Sequence, residues 1–427
     1  MTRFLTFLIA IALLLTACNI PTALQPGAPT AAPTASMTPT ATVQAAIQTP
    51  ESKITVLHIW VPPLFDPESD TPAAKLFKER LEEFTKRRPE TKIEVRVKAL
   101  EGPGGLLDSL STANAAAPLS VPDLVALPRN IMETAAIKGL LHPFDGLTEI
   151  MDDPDWYGYT RQLALLQNST FGIPFAGDAL VLVYRTSAIE QPPSSWADAL
   201  EAPKPLVFPA ADPQALLTLT FYQAAGGVLL DENERPTLDP EKLTPILTYY
   251  QQALVSGLIP YWVTQYESDE QSWQAFEQKQ TDMVITWVSR YLANTPANSA
   301  LSQIPSGDGT AVTTATGWVW ALSTPDSNRH ELATQLAEFI TAGDFLGEWS
   351  SAAGFPPVRP SSLEKWKKTP EHSLLGKILP SAKLIPPQDI LNTVGPKVRD
   401  ATVSILKDKA DPETAAQTAS DALKNPQ

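Results

Sequence analysis

An α/β fold in two domains is what this sequence predicts, and three observations lead there. Strand-like segments alternate with helix-like segments along most of the chain. The 427 residues are too many for one small core. Hydrophobic residues make up 43% of the chain, which is enough to fill ordinary packed interiors.

The N-terminus stands apart. Met1-Thr2-Arg3 carries one positive charge, and Phe4 to Leu15 is apolar except for Thr6. A short basic start, a short apolar core and small residues after it make an export signal. That core is too short to cross a bilayer interior of about 30 Å as a helix. The signal ends in Leu15-Thr16-Ala17-Cys18, and Cys18 is the only cysteine in the chain. These four positions resemble the lipobox of bacterial lipoproteins. The resemblance implies that residues 1–17 are removed and that Cys18 carries lipid. No charged residue occurs from Phe4 to Pro50, and Pro, Thr, Ala, Gln and Ser dominate from Asn19 onward. Such a segment buries too little apolar surface to offset its ordering entropy. Residues 18–51 are therefore expected to form a tether reaching of order 30 Å.

The folded part begins near Lys53. Ile54 to Val61 reads as a buried strand. Pro72 can open a helix at its first turn, and Leu76, Phe77, Leu81 and Phe84 continue it at helical spacing to about Arg88. Lys92 to Lys98 alternates, with Ile93, Val95 and Val97 on one face. A Gly-rich turn at Glu101 to Gly105 precedes a helix from Leu106 to Ala116, and Pro122 to Leu127 gives a third strand. Farther on, Phe171 to Phe175 reads as a turn entering a strand at Ala179 to Tyr184. Ser195 is a candidate helix cap, Asp212 to Ala225 a helix, and Asp239 the cap of a helix from Pro240 to Ser256 ended by Gly257. Trp273 to Gln278 is helical and Thr281 to Val288 a strand. Trp318 to Leu322 is another strand, Arg329 to Thr341 a helix, and Lys365 to Leu423 mainly helical. Strands alternating with helices imply a largely parallel sheet covered on both faces.

Charge narrows the partners. With 32 basic and 47 acidic residues the net charge is −15. No basic patch suited to nucleic acid stands out. The single cysteine, if lipidated, leaves no disulfide or thiol chemistry in the folded part.

Several spaced segments resemble the extracellular solute-binding proteins of bacterial ABC importers, in the sugar-binding group related to maltose-binding protein. They are Phe171-Gly172-Ile173-Pro174-Phe175 with Leu182 to Arg185 and Pro193 to Trp196; Ala225-Gly226-Gly227 with the helix ending Gly257 to Pro260; Trp273 and Phe276 followed by Gln280 to Ile285; and Thr316-Gly317-Trp318 with Gly354 to Arg359. Their order and spacing cover nearly all of Ile54 to about Ser362. Arg185-Thr186 and Lys279 to Met283 depart from the family pattern, so the substrate cannot be copied from a relative. The resemblance implies a two-lobed periplasmic-binding-protein-like α/β fold, with discontinuous lobes joined by hinge strands. Lobe one is expected at 52–177 plus 318–342, and lobe two at 178–317 plus 343–427. It also implies a monomeric, lipid-anchored receptor on the outer face of the membrane. Such a receptor would close on a mono- or oligosaccharide and deliver it to ABC permease subunits, with no cofactor and no metal.

Sugar recognition needs flat apolar surfaces for ring faces and polar groups for hydroxyls. Trp60 ends the first strand, and Phe65 lies in the loop that reaches ligand in relatives. Trp287 follows the strand Met283 to Thr286, and Trp318 follows Gly317 at a crossover. Asp178 sits where relatives supply a carboxylate. Arg129 and Arg359 occupy places that border the cleft in relatives, where a guanidinium can clamp a hydroxyl pair. These seven are the expected ligand contacts. Trp262, Trp273 and Trp349 read instead as core or helix-surface residues.

Catalytic motifs give little. His58, His142, His330 and His372 form no metal-spaced pair. No Gly-x-Ser-x-Gly elbow occurs. Gly102 to Gly105 lacks the Lys-Ser/Thr of a phosphate loop. Asp152, Asp153 and Asp155 are expected in a solvated loop near a helix cap. Two alternatives to a receptor remain open at this point. One is a lipoprotein enzyme acting on extracellular polysaccharide, whose paired carboxylates need a defined separation. The other is a sensory or scaffold protein of the same fold.

Overall fold

The computed structural model describes residues 54–201 and 203–424. The export signal, Cys18 and the tether lie outside the described residues. Strands β1 (Thr55–Val61), β2 (Thr91–Val97), β3 (Leu124–Pro128), β4 (Leu165–Leu166), β5 (Ser169–Thr170) and β6 (Ile173–Arg185) come first. They are followed by β7 (Leu206–Val207), β8 (Met283–Trp287), β9 (Ser299–Ser302), β10 (Thr314–Leu322) and β11 (Lys383–Leu384). β4 and β5 form a separate pair, and the other nine make one sheet in the order β2-β1-β3-β10-β6-β8-β7. In that sheet β9 attaches to β6 and β11 to β10.

The sheet is mixed, not uniformly parallel. β1 runs parallel to both β2 and β3, and β7 parallel to β8. β10 is antiparallel to β3 and β6, and β6 is antiparallel to β8. The strands at the centre are long enough to serve both halves. β6 pairs with β10 from Ile173 to Ala179 and with β8 from Leu180 to Tyr184. All of β6 except Tyr184 is buried, as expected for a strand covered on both faces.

Side chains alternate across the pleat, and that alternation builds four apolar clusters. In the first half, Leu57, Ile59, Leu124 and Trp320 face one cluster, while Trp60, Val125, Leu127 and Val319 face the other. In the second half, Leu180, Leu182 and Ile285 pack under the helices Leu216–Ala224, Pro240–Ser256 and Gln388–Leu406. Val181, Val183 and Val284 turn the opposite way, toward Trp273, Phe276 and Leu375. Residues 343–358, expected in the second lobe, pack with the first half: Leu346, Trp349, Phe355 and Val358 join the cluster of Leu57 and Ile59. The chain then passes to the second half by Leu363.

Two glycines mark the crossing. Gly177 of β6 lies opposite Gly317 of β10. A Cβ on Gly177 would collide with the Tyr159 hydroxyl, and one on Gly317 with the Ala176 carbonyl oxygen. β10 can approach β6 here because Gly317 carries no side chain, and Gly177 leaves room for Tyr159.

Candidate functional site

The carboxyl ends of the strands set the site, because the segments leaving them line the crevices of an open α/β sheet. β1 runs into a single helical turn at Pro63–Phe65, and β3 runs directly into the helix Arg129–Ile137. β2 leads to the glycine turn at 101–105, where Gly102 and Gly104 have positive φ. In the second half β8 leads into the short helix Val288–Ala293. Two clefts form along these ends, and each takes residues from both halves.

The first cleft has a volume of about 350 Å³. Phe65 and Asp66 form one side, the first turn of helix Pro72–Arg87 another, and Trp349 to Phe355 a third. Leu292 and Ala293 close it from the second half. The second cleft, about 500 Å³, lies between the glycine turn, helix Leu106–Ala116 and helix Arg129–Ile137. Glu101, Asp108, Asn130 and Lys138 line it, and Gln388 reaches it from the second half. These volumes lie toward the small end of ligand pockets. The first offers aromatic surface, and the second offers hydrogen-bonding groups.

Asp178 sits where β6 passes from one half to the other, and it is only 9% exposed. Its carboxylate accepts from the Ser289 hydroxyl, the Ser289 backbone N–H at 3.1 Å and the Ala179 N–H at 2.9 Å. Burial pushes its pKa up to about 7, although the bonds from Ser289 pull the other way. The arginines nearby are neutralised inside the protein. Arg129 pairs with Glu133 at 2.6 Å and donates to the carbonyls of Leu163 and Leu165 at 2.7 and 2.6 Å. Arg359 pairs with Asp153 at 3.0 Å and lies 3.6 Å above the Trp156 ring. Arg290 pairs with Asp269 and Glu270. Burial lowers the pKa of Arg129 and of Arg359, and the paired carboxylates oppose it.

A family profile described as "Bacterial extracellular solute-binding protein" matches residues 79–373. The chain belongs to this family. The fold agrees with solved members of the maltose-binding group. A cyclo/maltodextrin-binding protein complexed with maltotetraose has a TM-score of 0.70 at 20% identity, covering 86% of this chain and 96% of its own. The sugar-binding protein MalE of Xanthomonas citri has a TM-score of 0.70 at 16% identity, with the same coverage, 86% and 96%. The cyclic α-maltosyl-1,6-maltose binding protein of Arthrobacter globiformis has a TM-score of 0.68 at 16% identity, covering 86% and 98%. No curated protein matches the sequence significantly. The chain therefore has the two-lobed fold of these receptors, and its family is one of extracellular binding proteins.

In this solute-binding protein the seven expected contacts separate. Phe65 lines the first cleft, its ring edge-on to Trp318 at 4.9 Å and to Phe175 at 5.0 Å. Trp318 is half-buried and packs against the Phe65 ring. Asp178 and Trp287 stand together at the crossing, since Trp287 pairs with Leu180 and Ser289 follows two residues later. Trp60 turns into the cluster on the other face, with the Lys98 ammonium 4.9 Å from its ring. Arg129 and Arg359 are buried and turned to protein groups, Arg129 to Glu133 and Arg359 through one Nη to Asp153, while the Arg359 Nε has no partner. Asp152 and Asp153 are exposed in the loop before the helix Gly158–Ala164, as expected, and Asp153 and Asp155 also hold Arg359.

Other lining residues carried weaker signals. Asn130 directly follows Arg129 and is the exposed member of that pair. Asp66 directly follows Phe65 and is half-buried. Trp349 is a core residue by its 5% exposure, yet it also forms cleft wall. Gln214 and Gln388 meet at 3.4 Å through their amides, although 174 positions separate them. Nothing local in the sequence announces that meeting.

Proposed function

We propose that this chain is a lipid-anchored receptor that captures a mono- or oligosaccharide between its lobes and delivers it to an ABC permease. One observation carries the reading. Both clefts at the strand ends draw walls from two halves that share the continuous strands β6 and β10. A ligand touching both walls favours the closed arrangement over the open one, and closure presents both lobes to the permease. We place lobe one at 52–177 plus 318–362 and lobe two at 178–317 plus 363–427, following the packing of 343–358 and the bonds of Arg359, Ser361 and Ser362 to Asp153, Asp155 and Gly343. Aromatic rings give the sugar its flat surface, and Asn130 and Gln388 give its hydroxyls partners.

The test is a binding screen of the signal-free protein against mono- and oligosaccharides, read by thermal shift and then by calorimetry. A ligand at a hundredfold excess over its Kd stabilises the fold by about 2.7 kcal/mol, a midpoint shift of a few degrees. Stoichiometric binding with the sugar recovered intact supports the receptor. Consumption of an oligosaccharide overturns it in favour of an enzyme. Anchoring is tested separately: Cys18→Ser moves the protein from the membrane fraction to the soluble one, and unchanged membrane retention refutes the lipid.

A further inference from the structure

We propose that the chain self-associates through strand β2, whose open edge pairs antiparallel with β2 of a second copy. The inference lies away from the clefts and departs from the monomer that the family resemblance implies. It begins with the two ends of the sheet. One end is β7, two buried residues long. A very short strand is a common way to blunt a sheet edge. The other end is β2, which pairs with β1 from Thr91 to Val97 without a bulge and contains no proline.

Backbone direction shows what this edge offers. The Thr55 N–H bonds to the Glu90 carbonyl at 2.8 Å, and the Lys98 N–H to the Val61 carbonyl at 2.9 Å. By alternation, Lys92, Glu94, Arg96 and Lys98 turn their backbone groups to β1. Ile93, Val95 and Val97 turn theirs outward, and no described residue bonds to them. Their side chains are incompletely covered as well: Ile93 and Val95 are half-buried and Val97 is 42% exposed. Together with Leu81 of the helix Pro72–Arg87 they line a groove of about 460 Å³. Free backbone groups beside an apolar stripe make a template for another strand.

Charge says which strand fits. Glu94 and Arg96 lie on the face opposite the stripe, with side chains 55% and 54% exposed. Within one copy Glu94 has only His58 at 3.4 Å and Arg96 at 4.0 Å. A two-fold axis through Val95 sets Glu94 of each copy against Arg96 of the other. It also sets Val95 against Val95 and Ile93 against Val97, the residues whose backbone groups point outward. Moving the axis to Glu94 or to Arg96 sets that charge against itself, which destabilises a strand pair. Moving it to Ile93 pairs Lys92 with Glu94 but leaves Val97 outside the ladder. The axis through Val95 satisfies backbone, apolar stripe and Glu94–Arg96 charge together, as a self-complementary two-fold interface must. Its one unfavourable pairing, Lys92 against Lys98, falls at the ends, where the Lys98 ammonium is drawn toward the Trp60 ring.

The experiment is sedimentation velocity of the signal-free protein over a wide range of concentration. Physiological salt screens the net negative charge of each copy. The samples are the wild type, Glu94→Arg, Arg96→Glu and an equimolar mixture of these two variants. The wild type should show a reversible monomer–dimer equilibrium. Either variant alone sets like charges opposite each other, and its dimer Kd should rise at least tenfold. In the mixture, a Glu94→Arg chain meets an Arg96→Glu chain with opposite charges at both positions, and the dimer should return. Both side chains are exposed, so unchanged melting midpoints are expected and show that the variants fold. A wild type that stays monomeric throughout overturns the inference. A dimer that neither variant weakens, or a mixture that does not recover it, overturns the pairing through Val95. A dimer that forms only after residues 19–51 are deleted overturns it in favour of the chain's own tether on the edge. Sugar binding is measured separately, and its failure leaves this inference untouched.

Discussion

Replacing Asp178 with Asn should change how stability depends on pH, in a direction the structure fixes. The wild-type carboxyl is buried and titrates near 7 in the folded protein, against about 3.9 in an unfolded chain. Below about pH 4 both states hold the proton, and above about pH 8 neither does. Between these limits the folded state carries a proton that the unfolded state has lost, so stability falls as pH rises. Integrated from pH 5 to pH 8, this group costs the wild type about 2.5 kcal/mol. Asn does not titrate, and its carbonyl oxygen can still accept from Ser289. The difference in unfolding free energy between Asp178→Asn and wild type should therefore shift by about 2.5 kcal/mol in favour of Asn over that range. Urea unfolding followed by tryptophan fluorescence at pH 5, 6.5 and 8 measures it, and contributions of other groups cancel in the difference. A difference constant to within about 0.5 kcal/mol would mean that water reaches the carboxylate. A shift of opposite sign would mean that hydrogen bonds from Ser289 and Ala179 outweigh burial.

Two further substitutions test the packing around the site. Arg359→Met should destabilise by about 2–3 kcal/mol, below the usual cost of breaking a buried pair, because Asp153 and Asp155 are 44% and 28% exposed and can regain water. A loss under about 0.5 kcal/mol in urea titration would show that the Arg359 network does not support the fold. Gly317→Ala should cost about 1–3 kcal/mol, since its Cβ meets the Ala176 carbonyl at the crossing, and an unchanged midpoint would show that β6 and β10 can separate there freely.

Much of the fold could be read from local chemistry. The helices Pro72–Arg87 and Pro240–Ser256 were foreseeable because each has a capping Thr or Asp, a proline at its first position and, for the second, a terminal glycine. The helix Arg129–Ile137 was missed because no side chain caps it and it follows β3 without a break. β6 read as a turn plus a shorter strand because Gly172 and Pro174 look like turn residues. In the fold Pro174 lies opposite Val319, where the pairing with β10 shifts register, and an irregular ladder tolerates a missing N–H. The site was less legible for a related reason. A charged residue at a strand end looks the same whether it meets ligand or protein. Glu133, four residues beyond Arg129 on one helix, was a readable sign of internal pairing. Asp153, the nearer partner of Arg359, lies 206 positions away and left no such sign.

The placement of the charge pairs bears on how such a receptor can move. Arg129 is neutralised within the first half by Glu133, and Arg359 by Asp153 and Asp155. Arg290 is neutralised within the second half by Asp269 and Glu270. Breaking the buried Arg129–Glu133 pair one partner at a time would be costly, and the Arg359 and Arg290 pairs, whose members are partly exposed, less so. Two contacts between the halves at the clefts are of a weaker kind. The Gln388 N–H donates to Glu133 at 3.2 Å, and Gly354 faces Leu292 across the first cleft. A single hydrogen bond that water can replace has a net worth of about 1 kcal/mol. Bending at β6 and β10 would expose such contacts to water and leave every buried arginine paired. The open and closed arrangements can then differ by little, and a ligand touching both walls needs only modest differential affinity to shift the population. Had Arg129 or Arg359 reached across the cleft, as their positions in the sequence suggest, opening would have stranded a charge. Their retention within one half is therefore what a hinged receptor requires.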